Sequence, residues 1–384
     1  MKKALSILIS LAVGAALGFA IGSMISDISN GESSAMSKTA EIGLMLVALA
    51  LGAYLQIILH EAGHLVCGLL SGYNFVSFRI GSLTLLKDEN GKLRFKRFKV
   101  AGTGGQCLMS PPEGITIDKL PTSLYNAGGV LMNLLCATVS LLLLLFCDNM
   151  HFFIKYLLAT TVVTGYAFAL LNGIPLKFSG VSNDGYNLLY IKRNNQSLKG
   201  FQSQLIINEK LQNGTRLSQM PDNLFDLGGE IDYSDPMQAN VEIMRVSRVM
   251  DQGDMEQAKT LFKELLQFHQ HELLALLRFE AENDMLFTIL ATGEMERAQI
   301  LCNDKMLMKY ITKYAQVMTS KQRTLMAKTL ILDGDRATAK QMLDTAKTNS
   351  KKYLMQGEVK SDILLMEKLL EDEKDDSNQA NLTN

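Results

Sequence analysis

Residues 55–64 read Leu55-Gln56-Ile57-Ile58-Leu59-His60-Glu61-Ala62-Gly63-His64, and two patterns overlap there. One is an apolar run that starts at Ile42, stays uncharged to Leu59 and continues past the polar interruption to Leu70. A spanning helix needs about 20 predominantly apolar residues, because a hydrocarbon core about 30 Å thick is crossed at about 1.5 Å per residue. The other pattern is H-E-x-x-H, whose histidines stand four apart on one helical face and can reach one metal ion. Ionisable side chains inside a membrane helix are costly, so three clustered ones call for a compensating partner such as a metal. Glu61, beside the first histidine, is placed to take a proton from an attacking water and return it to a leaving amine.

Two histidines leave a catalytic zinc one protein ligand short of the usual three. His151, His269 and His271 are poor candidates: the first falls at the opposite membrane face, the others in the polar half of the chain. A carboxylate near the same end of another span is needed. Asp184-Gly185 fits, since a span ends at Asn172-Gly173-Ile174-Pro175 and the chain then turns back through residues 177–182. An ordinary Asp-Gly turn or a helix cap is the competing reading of that dipeptide. Glu113 and Asp118 lie in a Pro-containing approach to the third span, where they can stay solvated.

Four segments are long and apolar enough to span: Ala4 to Ile25, Ile42 to Leu59 with its extension, Leu124 to Cys147, and Tyr156 to Leu176. The first can also be read as a signal peptide, but its length favours a retained anchor. Lys2 and Lys3 precede it, and Arg79, Lys87, Lys92, Arg94, Lys96, Arg97, Lys99 and Lys119 lie between the second and third spans. The other two connections carry only Lys38 and Lys155. The positive-inside rule therefore places both termini and the basic loop in the cytoplasm.

His60-Glu61-x-x-His64, then Gly128-Gly129-Val130-Leu131-Met132-Asn133 in the next span, then Asn172-x-x-Pro175 followed by Asp184-Gly185, together resemble the site-2 protease family of intramembrane zinc metalloproteases. The resemblance covers residues 44–190. It implies zinc held by His60, His64 and Asp184, Glu61 as the base, and hydrolysis of a peptide bond in or near a membrane segment. It also makes Asn133 and Asn172 candidate substrate-binding residues, although small residues around Asn133 equally suit close helix packing. Asn172 and Asp184 stand twelve residues apart (172 to 184), wider than the family pattern, so a short insertion around Lys177 to Ser182 must loop out.

Between the second and third spans, Asn74 to Lys99 alternates apolar and polar residues around Asp88-Glu89-Asn90-Gly91, the pattern of a β-hairpin. Its edge can hold an unwound substrate by strand addition, and its basic cluster Arg94 to Lys99 suits anionic headgroups. Ala101-Gly102-Thr103-Gly104-Gly105-Gln106-Cys107 lacks the spacing of a phosphate loop and reads as a flexible re-entrant or gating turn.

Beyond residue 194 the composition turns polar. Gly253-Asp254-Met255-Glu256-Gln257-Ala258, Gly293-Glu294-Met295-Glu296-Arg297-Ala298 and Gly334-Asp335-Arg336-Ala337-Thr338-Ala339 recur 40 and 41 residues apart (253 to 293 to 334). They resemble degenerate tetratricopeptide-type helix pairs, which implies a surface for a protein partner. A net charge of -1 and the absence of Trp argue against a nucleic-acid partner, and five cysteines without a Cys-x-x-Cys pair make neither a disulfide framework nor a thiolate zinc site. The expected architecture is mainly α: residues 1–194 a polytopic membrane core of four spans with a small β-hairpin, 195–235 a linker, 236–370 a soluble helical-repeat domain and 371–384 a disordered tail. The expected cofactor is zinc. The expected partners are a membrane protein or peptide substrate and the lipid bilayer. A catalytically silent membrane-anchored adaptor, or a protease of small secreted peptides or leaders, are the alternatives.

Overall fold

A computed structural model describes residues 22, 38–87, 91–99, 104–178 and 181–382. Among these it is mainly helical, and the chain divides into two compact units, the second beginning for the most part at Asn194.

The first unit is built on α1 (Lys38–Leu70), α2 (Thr122–Phe146) and α3 (Phe152–Gly173), which pack on one another. Three helical segments, Thr39–Leu70, Ile117–Phe146 and Phe152–Gly173, are long and apolar enough to cross a membrane. The expected span Ala4 to Ile25 lies, residue 22 apart, outside the described residues. The packing is compatible with a membrane bundle: Ala48, Ala137, Ala159 and Thr160 are buried between helices, while Leu46, Leu51, Leu135 and Leu145 face outward. Lipid offers no hydrophobic drive to bury leucine, so small residues and hydrogen bonds hold such helices together. Thr160 accordingly donates to the Ala48 carbonyl at 3.0 Å. At about 1.5 Å per residue, His60 lies roughly 32 Å along the helix from Thr39, a length comparable to the thickness of a bilayer core.

The expected hairpin is a larger sheet. β1 (Asn74–Ile80), β2 (Leu83–Lys87), β3 (Leu93–Arg97) and β4 (Gly105–Ser110) form four strands in the order β3-β2-β1-β4. Gly81, at φ 58°, makes a tight turn inside what the alternation reads as one strand. Residues 105–107, expected in a flexible turn, instead belong to β4, which pairs antiparallel with β1, Phe78 opposite Cys107. Two short strands, β5 (Lys177–Phe178) and β6 (Val181–Ser182), pair antiparallel and lead into α4 (Asp184–Tyr190). They are the loop-out that the long Asn172 to Asp184 spacing requires.

The second unit starts earlier than expected. The presumptive linker contains α5 (Asn195–Gln212), whose Ile207 and Leu211 form a small core with Met220 and Phe225. There follow α6 (Pro236–Asp251), α7 (Met255–His269), α8 (Ala275–Ala291), α9 (Met295–Cys302), α10 (Lys305–Tyr314), α11 (Thr319–Ile331), α12 (Arg336–Asn349) and α13 (Gln356–Leu382). Each recurring motif joins two helices. Gly253, Gly293 and Gly334 take positive φ at the turn, and Ala258, Ala298 and Ala339 are fully buried at the same place in the helix that follows. Asp254 and Asp335 cap their helices by accepting from Gln257 N–H and Thr338 N–H. Helix α13 runs on to Leu382, through the residues whose composition suggests an unstructured tail. Glu, Lys, Asp and Gln there are compatible with continuing a helix already docked through Leu365, Met366 and Leu369.

Candidate metal centre

His60 and His64, four residues apart on α1, bring their Nε2 atoms within 3.2 Å of each other. Asp184 enters from the start of α4, with Oδ2 3.0 Å from His60 Nε2 and 3.3 Å from His64 Nε2. The three residues form a group whose ligand atoms all lie within 4.8 Å of one another, and it could hold a metal ion.

Whether a cation suits this group depends on where the imidazole protons sit. The His64 Nδ1 faces the Tyr125 carbonyl at 2.9 Å, which can only accept, so Nδ1 carries the proton. The His60 Nδ1 lies 2.7 Å from the Asn133 Oδ1. Asn133 Nδ2 donates to the Gln56 backbone carbonyl at 2.9 Å and to Gln56 Oε1 at 2.6 Å. Those contacts fix the Asn133 amide, so its oxygen must face His60 and accept from Nδ1. Both Nε2 atoms are then bare lone pairs aimed at a buried carboxylate oxygen that itself has no hydrogen-bond partner. Three convergent acceptors without a proton among them are satisfied by a metal cation. Asp184 would supply the negative charge that such a cation takes beside two neutral imidazoles.

Close backbone approach makes the geometry possible. A Cβ on Gly129 would run into the His60 ring, and one on Gly185 would collide with the Gly173 carbonyl. The glycines thus let α2 and α4 come against the ligands. Asn183 sets the position of Asp184. Its Oδ1 accepts from Leu176 N–H at 3.0 Å and Tyr186 N–H at 2.9 Å, and its Nδ2 donates to the carbonyls of Leu171 at 2.7 Å and Ile174 at 2.6 Å. One side chain therefore caps α4 and ties it to the broken end of α3.

Glu61 is half-buried on the same turn of α1 and accepts from the Cys107 backbone N–H on β4. The Cys107 carbonyl accepts from Tyr125 Oη at 3.2 Å. Both backbone groups of Cys107 therefore point away from β1, toward the site. Its thiol is pushed up to about 12, by burial first and then by the charge of Glu61, which rules it out as a nucleophile at neutral pH.

Four of the six residues singled out in the sequence, His60, Glu61, His64 and Asp184, come together here. Of the other two, Asn133 is fully buried, with its amide hydrogen-bonded to His60 and Gln56. Asn172 donates to the Phe168 carbonyl of its own helix at 3.0 Å. Gln56 and Asn183 escape sequence reading. Gln56 had a signal, a lone amide in an apolar span four residues before His60; its Nε2 also donates to the Thr161 carbonyl at 3.0 Å, linking all three helices. Comparison of the chain with family models, with curated proteins and with solved structures returns no match in any of the three.

Proposed function

We propose that this chain is a membrane-embedded zinc endopeptidase that hydrolyses a peptide bond in or near a membrane segment of a protein or peptide substrate. The observation that carries the reading is the convergence of the His60, His64 and Asp184 acceptor atoms at one end of apolar helices, with Glu61 adjacent in the chain. Zinc in this site supplies a Lewis acid that polarises the scissile carbonyl. His60 and His64 hold it with their Nε2 atoms, and Asn133 and Tyr125 keep those atoms deprotonated and aimed. Glu61 takes the proton of the attacking water and delivers it to the leaving nitrogen, so that the peptide C–N bond breaks to a carboxylate and an amine.

A helical substrate hides its amides in its own hydrogen bonds, so the segment to be cut must be extended. β4 is the outer strand of its sheet and passes Glu61 at Cys107, so its edge suits pairing with an extended segment. The test is metal content with proteolysis. Protein purified in detergent should hold about one zinc per chain by mass spectrometry; His60→Ala or His64→Ala should lose most of it. Glu61→Gln should keep zinc while membrane proteins cleaved in wild-type cells accumulate uncut. Unchanged zinc in both histidine variants, or wild-type cleavage by Glu61→Gln, overturns the reading.

A further inference from the structure

Gln56 stands on α1 one turn before His60, inside an apolar helix, and is fully buried. A lone amide in such a place usually serves as hydrogen-bonding glue between helices. Glue needs bonds in any order. The order of donors and acceptors around Gln56 is instead determined at every step.

It starts on α3. The Thr161 carbonyl can only accept, so the Gln56 atom 3.0 Å from it is the donor Nε2. Gln56 Oε1 then faces α2, where Asn133 Nδ2 stands 2.6 Å away and must donate. The other Nδ2 proton goes to the Gln56 backbone carbonyl at 2.9 Å, so Gln56 takes both. Asn133 Oδ1 is left to accept from His60 Nδ1 at 2.7 Å. A reversed Asn133 amide would offer N–H to Nδ1 and put the ring proton on Nε2, the atom that must hold the metal. The place of the amide is also built into α3: a Cβ on Gly165 would stand 2.5 Å from Gln56 Nε2.

We propose that Gln56 is a positioning residue for the metal, passing the fixed polarity of the Thr161 carbonyl through Asn133 to His60. The inference rests on the zinc reading of the site and extends it to a residue that meets neither the metal nor its ligands. It gives α3 a hand in two ligands. Asn183 ties the start of α4, and with it Asp184, to the end of that helix, and Gln56 ties the ring state of His60 to its middle.

The experiment measures zinc affinity by chelator competition, and the visible spectrum of the cobalt-substituted protein, on the full chain in detergent. Gln56→Met should weaken zinc binding about tenfold, the low end for outer partners because the Gln56 carbonyl still biases Asn133. It should also shift the cobalt bands. Thr160→Val removes a different buried bond between α1 and α3, the one to the Ala48 carbonyl. That variant should lower the melting midpoint and leave both metal readouts at wild-type values. In an Asn133→Leu background Gln56→Met should cost no further affinity, because residues that act through one another are not additive. Gly165→Ala, whose methyl displaces the amide while every group of the relay is kept, should weaken zinc in the same direction and serves if Gln56→Met does not fold. Absence of zinc binding in wild type overturns the metal reading and this inference with it. Where wild type binds zinc, wild-type affinity in a folded Gln56→Met or Gly165→Ala variant, an equal loss in Thr160→Val, or full additivity with Asn133→Leu overturns the inference alone.

Discussion

The side-chain oxygen of Asn133 on α2 accepts a hydrogen bond from His60 Nδ1 on α1 at 2.7 Å, and this one contact sets which imidazole nitrogen is free to hold a metal. Outer partners of this kind change metal affinity about 10- to 100-fold when removed. Asn133→Leu should therefore weaken zinc binding by that order, read by competition with a chelator. Asn133→Asp, which keeps an acceptor for Nδ1–H, should recover most of the affinity. Equal affinity in Asn133→Leu and wild type would show that His60 is oriented by something else.

The fit between Gly129 and the His60 ring makes a second, sharper test. A methyl group there must displace either the ring or α2, and overpacking of this kind costs about 1–3 kcal/mol. Gly129→Ala should lower both the melting midpoint and zinc content. Gly43, on the same helix as His60, has open space where its Cβ would stand. Gly43→Ala should leave both quantities at wild-type level, and a comparable loss in both variants would argue against a local effect at the site.

What the sequence made legible follows from the range over which each signal acts. His60, Glu61 and His64 lie within five residues of one chain, so helical spacing alone brings them together. Gly253, Gly293 and Gly334 also announce themselves locally, because a positive-φ turn followed by an acidic helix start is encoded in consecutive residues. Asn133 was visible as a residue but not in its role, since its partners Gln56 and His60 lie 77 and 73 residues away. Asn183 escaped for the opposite reason: beside Asp184 it reads as ordinary turn composition, and only its two carbonyl partners on the end of α3 reveal what it holds. The alternation in residues 74–99 gave strands but could not give β4, whose partner register depends on the return of the chain after residue 103.

A buried carboxyl of the second unit predicts how its stability changes with pH. Burial, the largest cause, raises Asp362 from 3.8 to about 6 against the pull of Arg323. Between those limits the folded chain holds a proton that the unfolded chain has released. Stability from this group is full below the unfolded value and is lost as pH rises through about 6. Asp362→Asn should therefore flatten the change of the melting midpoint between about pH 4 and pH 7 relative to wild type. A steeper fall in the variant would contradict the sign.

Asp184 reaches the histidines only because α4 begins where it does, and Asn183 is what fixes that beginning. Its Oδ1 satisfies the Leu176 and Tyr186 N–H groups, and its Nδ2 satisfies the Leu171 and Ile174 carbonyls left open where α3 stops. Asn183→Ala removes a helix cap, worth about 0.5–2 kcal/mol, and leaves carbonyls at a helix end without a partner, at about 1–3 kcal/mol for a buried group. The carboxylate should then lose its fixed approach to the Nε2 atoms. The variant should bind zinc more weakly than wild type even though all three ligands are present, whereas Asp184→Ala should lose zinc and activity outright. Glu113→Ala and Asp118→Ala should match wild type in both. The discriminating measurement is zinc affinity across the four variants. If Asn183→Ala binds as tightly as wild type, α4 is held by its other contacts; if Asp184→Ala does so, the third ligand is not Asp184 and the centre rests on the two histidines.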